Sequence, residues 1–277
     1  MKDITVICCW NNEKVYNDFA ETLKAQNYEC ELIGIDNRGN KGFTSCAAAY
    51  NSVIGQVKTK YVVYSHQDIL LDKPDILGKF AACLDKIGRD DIVGVAGVKF
   101  SHPGTYTNIM HIWDYNHELG YGGSKRVEND IEEVDVIDEC FFGGCTEHFR
   151  EYPFDEAVCD NWHLYAVDAC LTAKGTMRGE ERRGEERRGS VWVSGITLIH
   201  LSSGTLNTSF FWGFYRLCRK YANTFPFIRT TCISSSTKPI KMIPSLLCKW
   251  LRKQIGILLK RCGLYNFVKG ITLKISR

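Results

Sequence analysis

Three polar residues close a short apolar run in the first quarter of the chain. The run is YVVYS, residues 61–65, and His66, Gln67 and Asp68 follow it. Its β-branched and aromatic residues favour a buried strand, and open α/β sheets bind ligands at the carboxyl ends of their strands. A carboxylate there can bind Mg²⁺ or Mn²⁺, and an imidazole two residues earlier points to the same side of an extended chain. We therefore expect metal ligation; the alternative is that Asp68 caps a turn and His66 is a surface residue.

Other polar side chains follow predicted strands in the same way. Five of them stand near the ends of apolar runs: Asn11, Asn12, Asp36, Asn37 and His200. Because the carboxyl ends of parallel strands meet at one edge of a sheet, these groups are expected near Asp68.

The elements that position these residues alternate between strand and helix. Strands are predicted at 4–10, 29–35, 61–65, 91–98, 134–142 and 191–201. Helical segments are predicted at 13–26, 43–57, 74–87, 145–152, 162–174 and 207–225. This order indicates an α/β fold with a mostly parallel sheet flanked by helices. The glycine-rich phosphate motifs of dinucleotide-binding and P-loop proteins do not occur, which argues against both classes.

Charge divides the chain unevenly. Residues 189–277 contain 14 Lys or Arg and no Asp or Glu, whereas residues 1–188 carry 21 basic and 32 acidic residues. Apolar residues repeat at helical spacing from Leu246 to Cys262 with cations opposite, which is typical of a helix on an anionic bilayer. We expect residues 240–277 to bind an anionic membrane surface; packing of this stripe on the rest of the protein is the alternative. No nucleic-acid-binding motif accompanies the charge, so no nucleic acid partner is expected.

Thirteen cysteines without a leader-like segment favour reduced thiols and a cytoplasmic location, with the basic tail at the inner face of the cell membrane. Cys140, Cys145, His148, Cys159 and His163 could supply zinc ligands, but their spacing matches no common zinc motif. The charged repeat RGEERRGEERRG, residues 178–189, has no apolar residue and is interpreted as a solvated loop insertion, with a charged binding loop as the alternative.

With these segments in order, the chain resembles the family 2 glycosyltransferases, in particular a bacterial glycosyltransferase-like subgroup with the GT-A fold. The matching segments are AAAYNSVIGQVKTKYVVYSHQD, FDEAVCDNWHLYAVDACLTA and ITLIHLSSG, together with Asn11-Asn12 and Asp36-Asn37. The likeness covers about residues 4–205. It implies a catalytic domain over 1–205 and a basic, amphipathic helical tail over 206–277.

The resemblance implies transfer of a sugar from a nucleotide-diphospho-sugar, with a UDP-sugar expected, to a glycan or lipid-linked acceptor. The family's D-x-D motif corresponds to His66-Gln67-Asp68, so Mn²⁺ or Mg²⁺ would be held by Asp68, with His66 and His200 as further ligands. The nucleoside would contact Asn11, Asn12, Asp36, Asn37, Asn51 and Gln67. For each asparagine, a role as a cap or turn residue is the alternative.

Inversion at the sugar requires a base near the acceptor hydroxyl. Asp168 aligns with an acidic position of the family and is the first candidate, with a purely structural role as its alternative; Asp160 and His163 follow. The family's usual Glu-Asp pair is absent, because Tyr165-Ala166-Val167-Asp168 stands in its place. Trp162 and Tyr165 could stack on a sugar ring, and the alternative is that aromatic residues at this spacing belong to the core. The departures at His66 and Tyr165 motivate a second hypothesis, a catalytically silent nucleotide- or glycan-binding scaffold at the membrane.

Overall fold

A computed structural model describes residues 2–102, 105–110, 112–113, 127, 130–175, 189–202 and 206–261. The charged repeat apart from Gly189, most of the segment 103–129 and the last sixteen residues lie outside the described residues. The chain divides into two compact units. Unit 1 comprises Met1–Thr205 and Arg229–Ser234, and unit 2 comprises Leu206–Ile228 and Ser235–Arg277.

Unit 1 contains thirteen strands and five helices within the described ranges. The strands are β1 Ile4–Trp10, β2 Glu31–Asp36, β3 Tyr61–Ser65, β4 Ile69–Leu70, β5 Ile92–Gly94, β6 Ala96–His102, β7 Thr105–Met110, β8 Ile112–Trp113, β9 Ile131–Val134, β10 Val136–Ile137, β11 Phe141–Cys145, β12 Val191–Ser194 and β13 Leu198–His200. The helices are α1 Glu13–Lys24, α2 Cys46–Val53, α3 Ile76–Leu84, α4 Thr146–Glu151 and α5 Tyr165–Gly175.

Seven strands form the central sheet, in the order β2-β1-β3-β11-β5-β12-β9. Strands β1, β2, β3, β5 and β12 run in one direction, and β11 and β9 run in the other. The prediction of an α/β fold with a mostly parallel sheet is therefore confirmed. The two reversed strands were not anticipated, because an apolar run carries no information about the direction of its neighbour.

Both faces of this sheet are covered, which explains why its strands are continuous apolar runs. Alternate residues of β1, such as Val6 and Cys8, pack in one core with Phe19 of α1 and Phe80 of α3. On the opposite face, Tyr64 of β3 lies within an aromatic cluster with Tyr50, Phe142, Phe149 and Phe154.

Three predicted strands are broken where the chain leaves the central sheet. The run 91–98 divides between β5 and β6, 134–142 divides between β10 and β11, and 191–201 divides between β12 and β13. The departing pieces form two small sheets, β10-β6-β7 and β4-β13-β8. In the second of these, His200 pairs with Ile69, the residue that follows Asp68. The break in the third run is therefore what brings His200 beside Asp68.

Unit 2 contains helices α6 Thr208–Lys220 and α7 Pro239–Arg261. The side chain of Asn207 caps α6 by accepting the N–H of Phe210 at 2.9 Å. The stretch 230–239 lies in and around the hairpin of β14 Phe227–Arg229 and β15 Ser234–Ser236. None of the described helices combines the length and hydropathy needed to cross a bilayer.

Candidate functional site

A cavity of about 260 Å³ opens where β1 and β3 end. Residues directly after these strands line it together with side chains from the 162–163 segment and from the end of β13. The lining residues are Cys9, Trp10, Asn11, Asn37, Cys46, Tyr50, His66, Gln67, Asp68, Trp162, His163, His200 and Ser202. The structure thus brings Asn11, Asn37, His66, Gln67, Asp68 and His200 together at the strand ends, with His163 from the 162–163 segment beside them.

Gln67 joins the ends of β1 and β3 at the rim of the cavity. Its Oε1 accepts the backbone N–H groups of Asn11 at 3.1 Å and Asn12 at 3.0 Å, and its Nε2 donates to Oδ1 of Asn11 at 2.8 Å. The side chain of Asn12 caps α1 through the N–H of Val15. These amides therefore hold the rim in shape, and Asn12 has the helix-capping role given above as its alternative.

The loop after β2 is held by its own polar residues. Asn37 is 2% exposed, and its Oδ1 accepts the N–H groups of Gly42 and Phe43 at 3.0 and 2.8 Å. Asp36 is bound by the guanidinium and N–H of Arg38, which hold the pKa of Asp36 below its usual value. Arg38 also lies over the ring of Trp10, 5.1 Å from its centroid. The indole of Trp10 is thereby fixed at the wall of the cavity.

Asp68, His66 and His200 form a compact cluster whose potential ligand atoms all lie within 4.8 Å of one another. Oδ1 of Asp68 is 3.4 Å from Nε2 of His200 and 4.0 Å from Nδ1 of His66. Ser202 donates its hydroxyl to Oδ2 of the same carboxylate. The backbone carbonyl of Asp68 accepts the N–H of Leu201, the residue after β13, at 2.9 Å. This bond holds the side chains of Asp68 and His200 in place.

Burial and charge oppose each other in this cluster. Burial alone would raise the pKa of Asp68, but His200, His66 and Ser202 together hold that pKa well below its usual value. Burial alone would lower the pKa of His200, and the Asp68 carboxylate raises it instead. The pKa of His66 is lowered because burial outweighs the attraction of Asp68. Near neutral pH, Asp68 is therefore an anion and His66 an uncharged imidazole.

The donor set fits a divalent cation. Nε2 of His200 is buried and makes no well-aligned hydrogen bond to any described residue, although it faces Asp68. A cation between the imidazoles and the carboxylate would satisfy it. Two nitrogens and one oxygen suit Mn²⁺ better than Mg²⁺, which prefers oxygen ligands.

The orientation of His66 is set by groups behind it. Its Nε2 lies 3.1 Å from the hydroxyl of Tyr165, and its backbone N–H donates to the carbonyl of Cys140 at 2.9 Å. With Nε2 engaged, Nδ1 is the nitrogen that faces Asp68. Tyr165 is fully buried, so it supports His66 and does not offer the sugar-stacking surface suggested from sequence, whereas Trp162 lines the cavity.

The three candidate bases lie in different places. Asp168 is 2% exposed on α5, and Asp160 is exposed and accepts from the side chain of Asn161; neither is among the cavity-lining residues. His163 lines the cavity, and burial lowers its pKa, so it is uncharged near neutral pH. Asn51 is also outside the lining and binds the backbone of Phe154 through both atoms of its amide.

The possible zinc ligands do not assemble. Within the described residues, His66, Asp68 and His200 form the only group with metal-ligand spacing. The thiol of Cys9 at the cavity wall has its pKa raised by burial to about 12. That thiol is protonated at neutral pH and is neither a ready metal ligand nor a nucleophile.

Sequence reasoning missed Ser202 and Asp138. Ser202 follows His200 by two residues, so the period of an extended chain could have placed it beside Asp68. Asp138 lies in the unexpected turn between β10 and β11, and its charge acts on His66, His163 and His200. No sequence pattern around Asp138 marks it.

With this geometry in place, comparison with known proteins defines the class. Residues 5–178 match the Glycosyltransferase like family, and the chain belongs to that family. The predicted family resemblance is therefore confirmed. No curated protein sequence matches the chain significantly.

Solved structures share the fold. The 1–349 fragment of S. aureus TarS, in complex with UDP-GlcNAc, has a TM-score of 0.50 and 14% identity over 80% of this chain and 67% of the fragment. GalNAc-T7 with UDP, GalNAc and Mn²⁺ has a TM-score of 0.50 and 8% identity over 73% of this chain and 44% of its own. The chain spans 39% of the TarS chain in a further crystal structure. These likenesses confirm the GT-A type of fold.

Proposed function

We propose that this protein transfers a sugar from a nucleotide-diphospho-sugar, with UDP as the expected nucleotide, to a hydroxyl of a glycan or lipid-linked acceptor, with inversion at the sugar. The observation that carries the proposal is the cluster of Asp68, His66 and His200 in the cavity at the strand ends. TarS and GalNAc-T7, which share the fold, were solved with UDP-GlcNAc and with UDP and Mn²⁺.

In this proposal each residue has a defined task. Asp68, Nδ1 of His66 and Nε2 of His200 would hold Mn²⁺, and the bound ion would supply positive charge beside the leaving diphosphate. Asn11 and Gln67 line the nucleotide side of the cavity, with Trp10 fixed behind them. His163 is the only one of the three candidate bases that lines the cavity, and it is the group proposed to receive the acceptor's proton.

A thermal-shift screen of UDP, GDP and their sugars, with and without Mn²⁺, tests the proposal. A ligand at a hundredfold excess over its Kd adds about 2.7 kcal/mol of stability. We expect stabilisation by a UDP-sugar that requires Mn²⁺ and is lost in Asp68→Asn. Asp130→Asn, an exposed carboxylate of the same unit, is the matched control.

The outcomes separate the hypotheses. Stabilisation that is equal in Asp68→Asn and in the wild type would contradict the metal assignment. If a donor binds but is not transferred to any acceptor of a panel, the result would favour the alternative, a catalytically silent binding scaffold.

We further propose that unit 2 binds an anionic membrane surface through residues 240–277, on the cytoplasmic side. Large apolar side chains on α7, spaced three or four residues apart, are 44–83% exposed: Ile240, Ile243, Leu247, Leu251, Ile255 and Leu258. The helix carries six Lys or Arg and no acidic residue. Co-sedimentation with anionic vesicles but not with phosphatidylcholine vesicles or duplex DNA is the expected result.

A further inference from the structure

An apolar groove lies within unit 2, between α6 and α7. Its cavity has a volume of about 370 Å³. Cavities that bind small ligands have volumes of about 300–1,000 Å³, so the groove is large enough for one. Four residues of α6 and four of α7 line it, and all but Thr208 carry aromatic or aliphatic side chains. A ligand of this groove must therefore offer an apolar surface.

Two of the polar groups at the groove are engaged with each other. Nε1 of Trp250 donates to the hydroxyl of Thr208 at 3.3 Å, which joins the two helices. Trp212 packs edge-on against Tyr215, with ring centroids 5.9 Å apart. A sugar ring needs hydrogen-bond partners for its hydroxyls, because an unpaired polar group is costly to bury. The lining therefore favours a hydrocarbon chain over a glycan.

The groove is open at the surface of unit 2. Trp212 is 59% exposed, and Ile243 and Leu247 are 51% and 53% exposed, whereas Phe211 and Leu246 are buried. Exposed apolar surface of this kind marks an interaction site. Ile243 and Leu247 also belong to the apolar stripe of α7, so a lipid chain has access to the groove from a bilayer that the stripe contacts. This route of access rests on the proposed membrane binding.

The charges of unit 2 have one sign. Residues 206–228 contain three Lys or Arg and residues 235–261 contain seven, and neither range contains Asp or Glu. One of these cations stands at the aromatic side of the groove, since Cζ of Arg219 lies over the ring of Tyr215, 6.0 Å from its centroid. Arginine binds phosphate through parallel N–H groups. A phosphate head group is therefore the charge-complementary partner of this apolar groove.

We propose that the groove between α6 and α7 binds a single phosphate-bearing membrane lipid, with one hydrocarbon chain against Trp212, Leu247 and Trp250 and the phosphate at Arg219. The site takes one molecule per chain. It differs in this respect from the stripe of α7, which would contact the bilayer surface without selecting a lipid. The site thus adds a saturable contact to the general attraction between a basic unit and an anionic membrane.

Calorimetric titration of the full chain with octyl and decyl phosphate tests the role of the hydrocarbon chain. Both lipids are used below their micelle concentrations and without vesicles. Each methylene that is buried tightens Kd about fourfold, so we expect decyl phosphate to bind about 15-fold more tightly than octyl phosphate. The expected stoichiometry is one lipid per chain. Equal affinity for the two lengths, or uptake that does not saturate, would overturn the proposal.

Two variants separate the groove from the stripe. Trp212→Ser removes an exposed part of the lining and should weaken decyl phosphate binding about tenfold or more. Ile255→Ser with Leu258→Ser changes the stripe outside the lining and should leave Kd within about twofold of the wild type. Thermal unfolding of each variant checks the fold. Loss of binding in the stripe variant but not in Trp212→Ser would contradict the assignment to the groove.

The head group is tested with a pair of neighbouring cations. Arg219→Gln should weaken decyl phosphate binding about tenfold, because a charge-assisted hydrogen bond is lost. Lys220→Gln is the matched control, since the ammonium of Lys220 lies over Tyr221, which is outside the lining, and Kd should change less than about twofold. Decyl maltoside, which has the same chain and an uncharged sugar head group, should bind more weakly than decyl phosphate. Equal binding of the two would overturn the phosphate assignment.

A second copy of the chain is the competing occupant of the groove. Sedimentation without lipid, over a range of protein concentrations, should give the same mass for the wild type and for Trp212→Ser. A dimer that Trp212→Ser dissociates would overturn the proposal in favour of self-association. None of these measurements uses a nucleotide sugar or a vesicle. Failure of the lipid site is therefore distinguishable from failure of the proposed sugar transfer or of the proposed membrane binding.

Discussion

At the scale of single residues, two hydroxyl groups support the metal cluster: Ser202 donates to Asp68, and Tyr165 contacts Nε2 of His66. Spacing along an extended chain placed His66 beside Asp68, and the same reasoning could have found Ser202. The burial of Tyr165 agrees with the core alternative, but an aromatic residue at helical spacing gives no sign of whether its hydroxyl supports a neighbouring metal ligand. Asp138 could not be found, because its neighbours come from segments distant in sequence.

The hydroxyl of Tyr165 gives a prediction about metal affinity. Tyr165→Phe removes the partner of Nε2 of His66 and leaves the buried ring in place. Loss of a group that orients a metal ligand costs 10–100-fold in affinity, so we expect Mn²⁺ binding to weaken about tenfold. Titration calorimetry would measure it. Tyr61→Phe, which removes a hydroxyl bonded to Asp85 outside the cavity lining, should bind Mn²⁺ normally.

His148 gives a prediction about pH and stability. Burial lowers its pKa against the pull of Asp90, so the unfolded chain takes up this proton at a higher pH than the native protein. The stabilisation is complete above the unfolded pKa of about 6.5 and is lost as pH falls through the folded pKa, by up to about 1.4 kcal/mol per pH unit. Urea unfolding at pH 7.5, 6.5 and 5.5 should show a shallower loss in His148→Gln. Parallel curves for the two proteins would contradict this.

At the scale of elements, apolar runs identified the strands but not the sheets to which they belong. The strand Ile4–Trp10 agrees with its predicted bounds, because both of its faces are buried except at Cys9. Three longer runs were predicted as single strands and are broken instead. Each half is apolar in its own sheet, so composition alone gives no sign of the break. Those breaks create the turn 138–140 and bring His200 to Asp68. The geometry of the site therefore depends on strand breaks that the apolar pattern does not predict.

The reversed strand β11 gives a prediction about packing. Gly143 pairs with Val63 on one side and Val93 on the other, and a Cβ there would lie 2.3 Å from the carbonyl oxygen of Val62. The backbone of Val62 cannot move aside as a flexible side chain can. Gly143→Ala should therefore lower the free energy of unfolding by about 3 kcal/mol or more. Urea titration measures this. Gly55→Ala, where a Cβ meets nothing within 4 Å, should be neutral or stabilising.

At the scale of the whole molecule, the division of charge was readable from the sequence alone. Residues 1–188 have a net charge of −11 and residues 189–277 a net charge of +14. What the sequence left open was whether the apolar stripe of α7 is covered. Its six large side chains from Ile240 to Leu258 are substantially exposed, which supports a role as a surface for a partner.

Apolar and electrostatic contributions to vesicle binding can be separated on α7. Ile255→Ser with Leu258→Ser should weaken binding to anionic vesicles at every salt concentration, because apolar burial is not screened. Arg252→Gln with Lys260→Gln should weaken it about tenfold or more at low salt, at about 1 kcal/mol per charge, and little in 0.5 M salt, where screening is nearly complete. Vesicle co-sedimentation measures both, with unchanged thermal unfolding as the control for folding. Equal binding of the wild type to neutral and anionic vesicles would contradict the electrostatic part, and full binding by the serine variant would contradict insertion of the stripe.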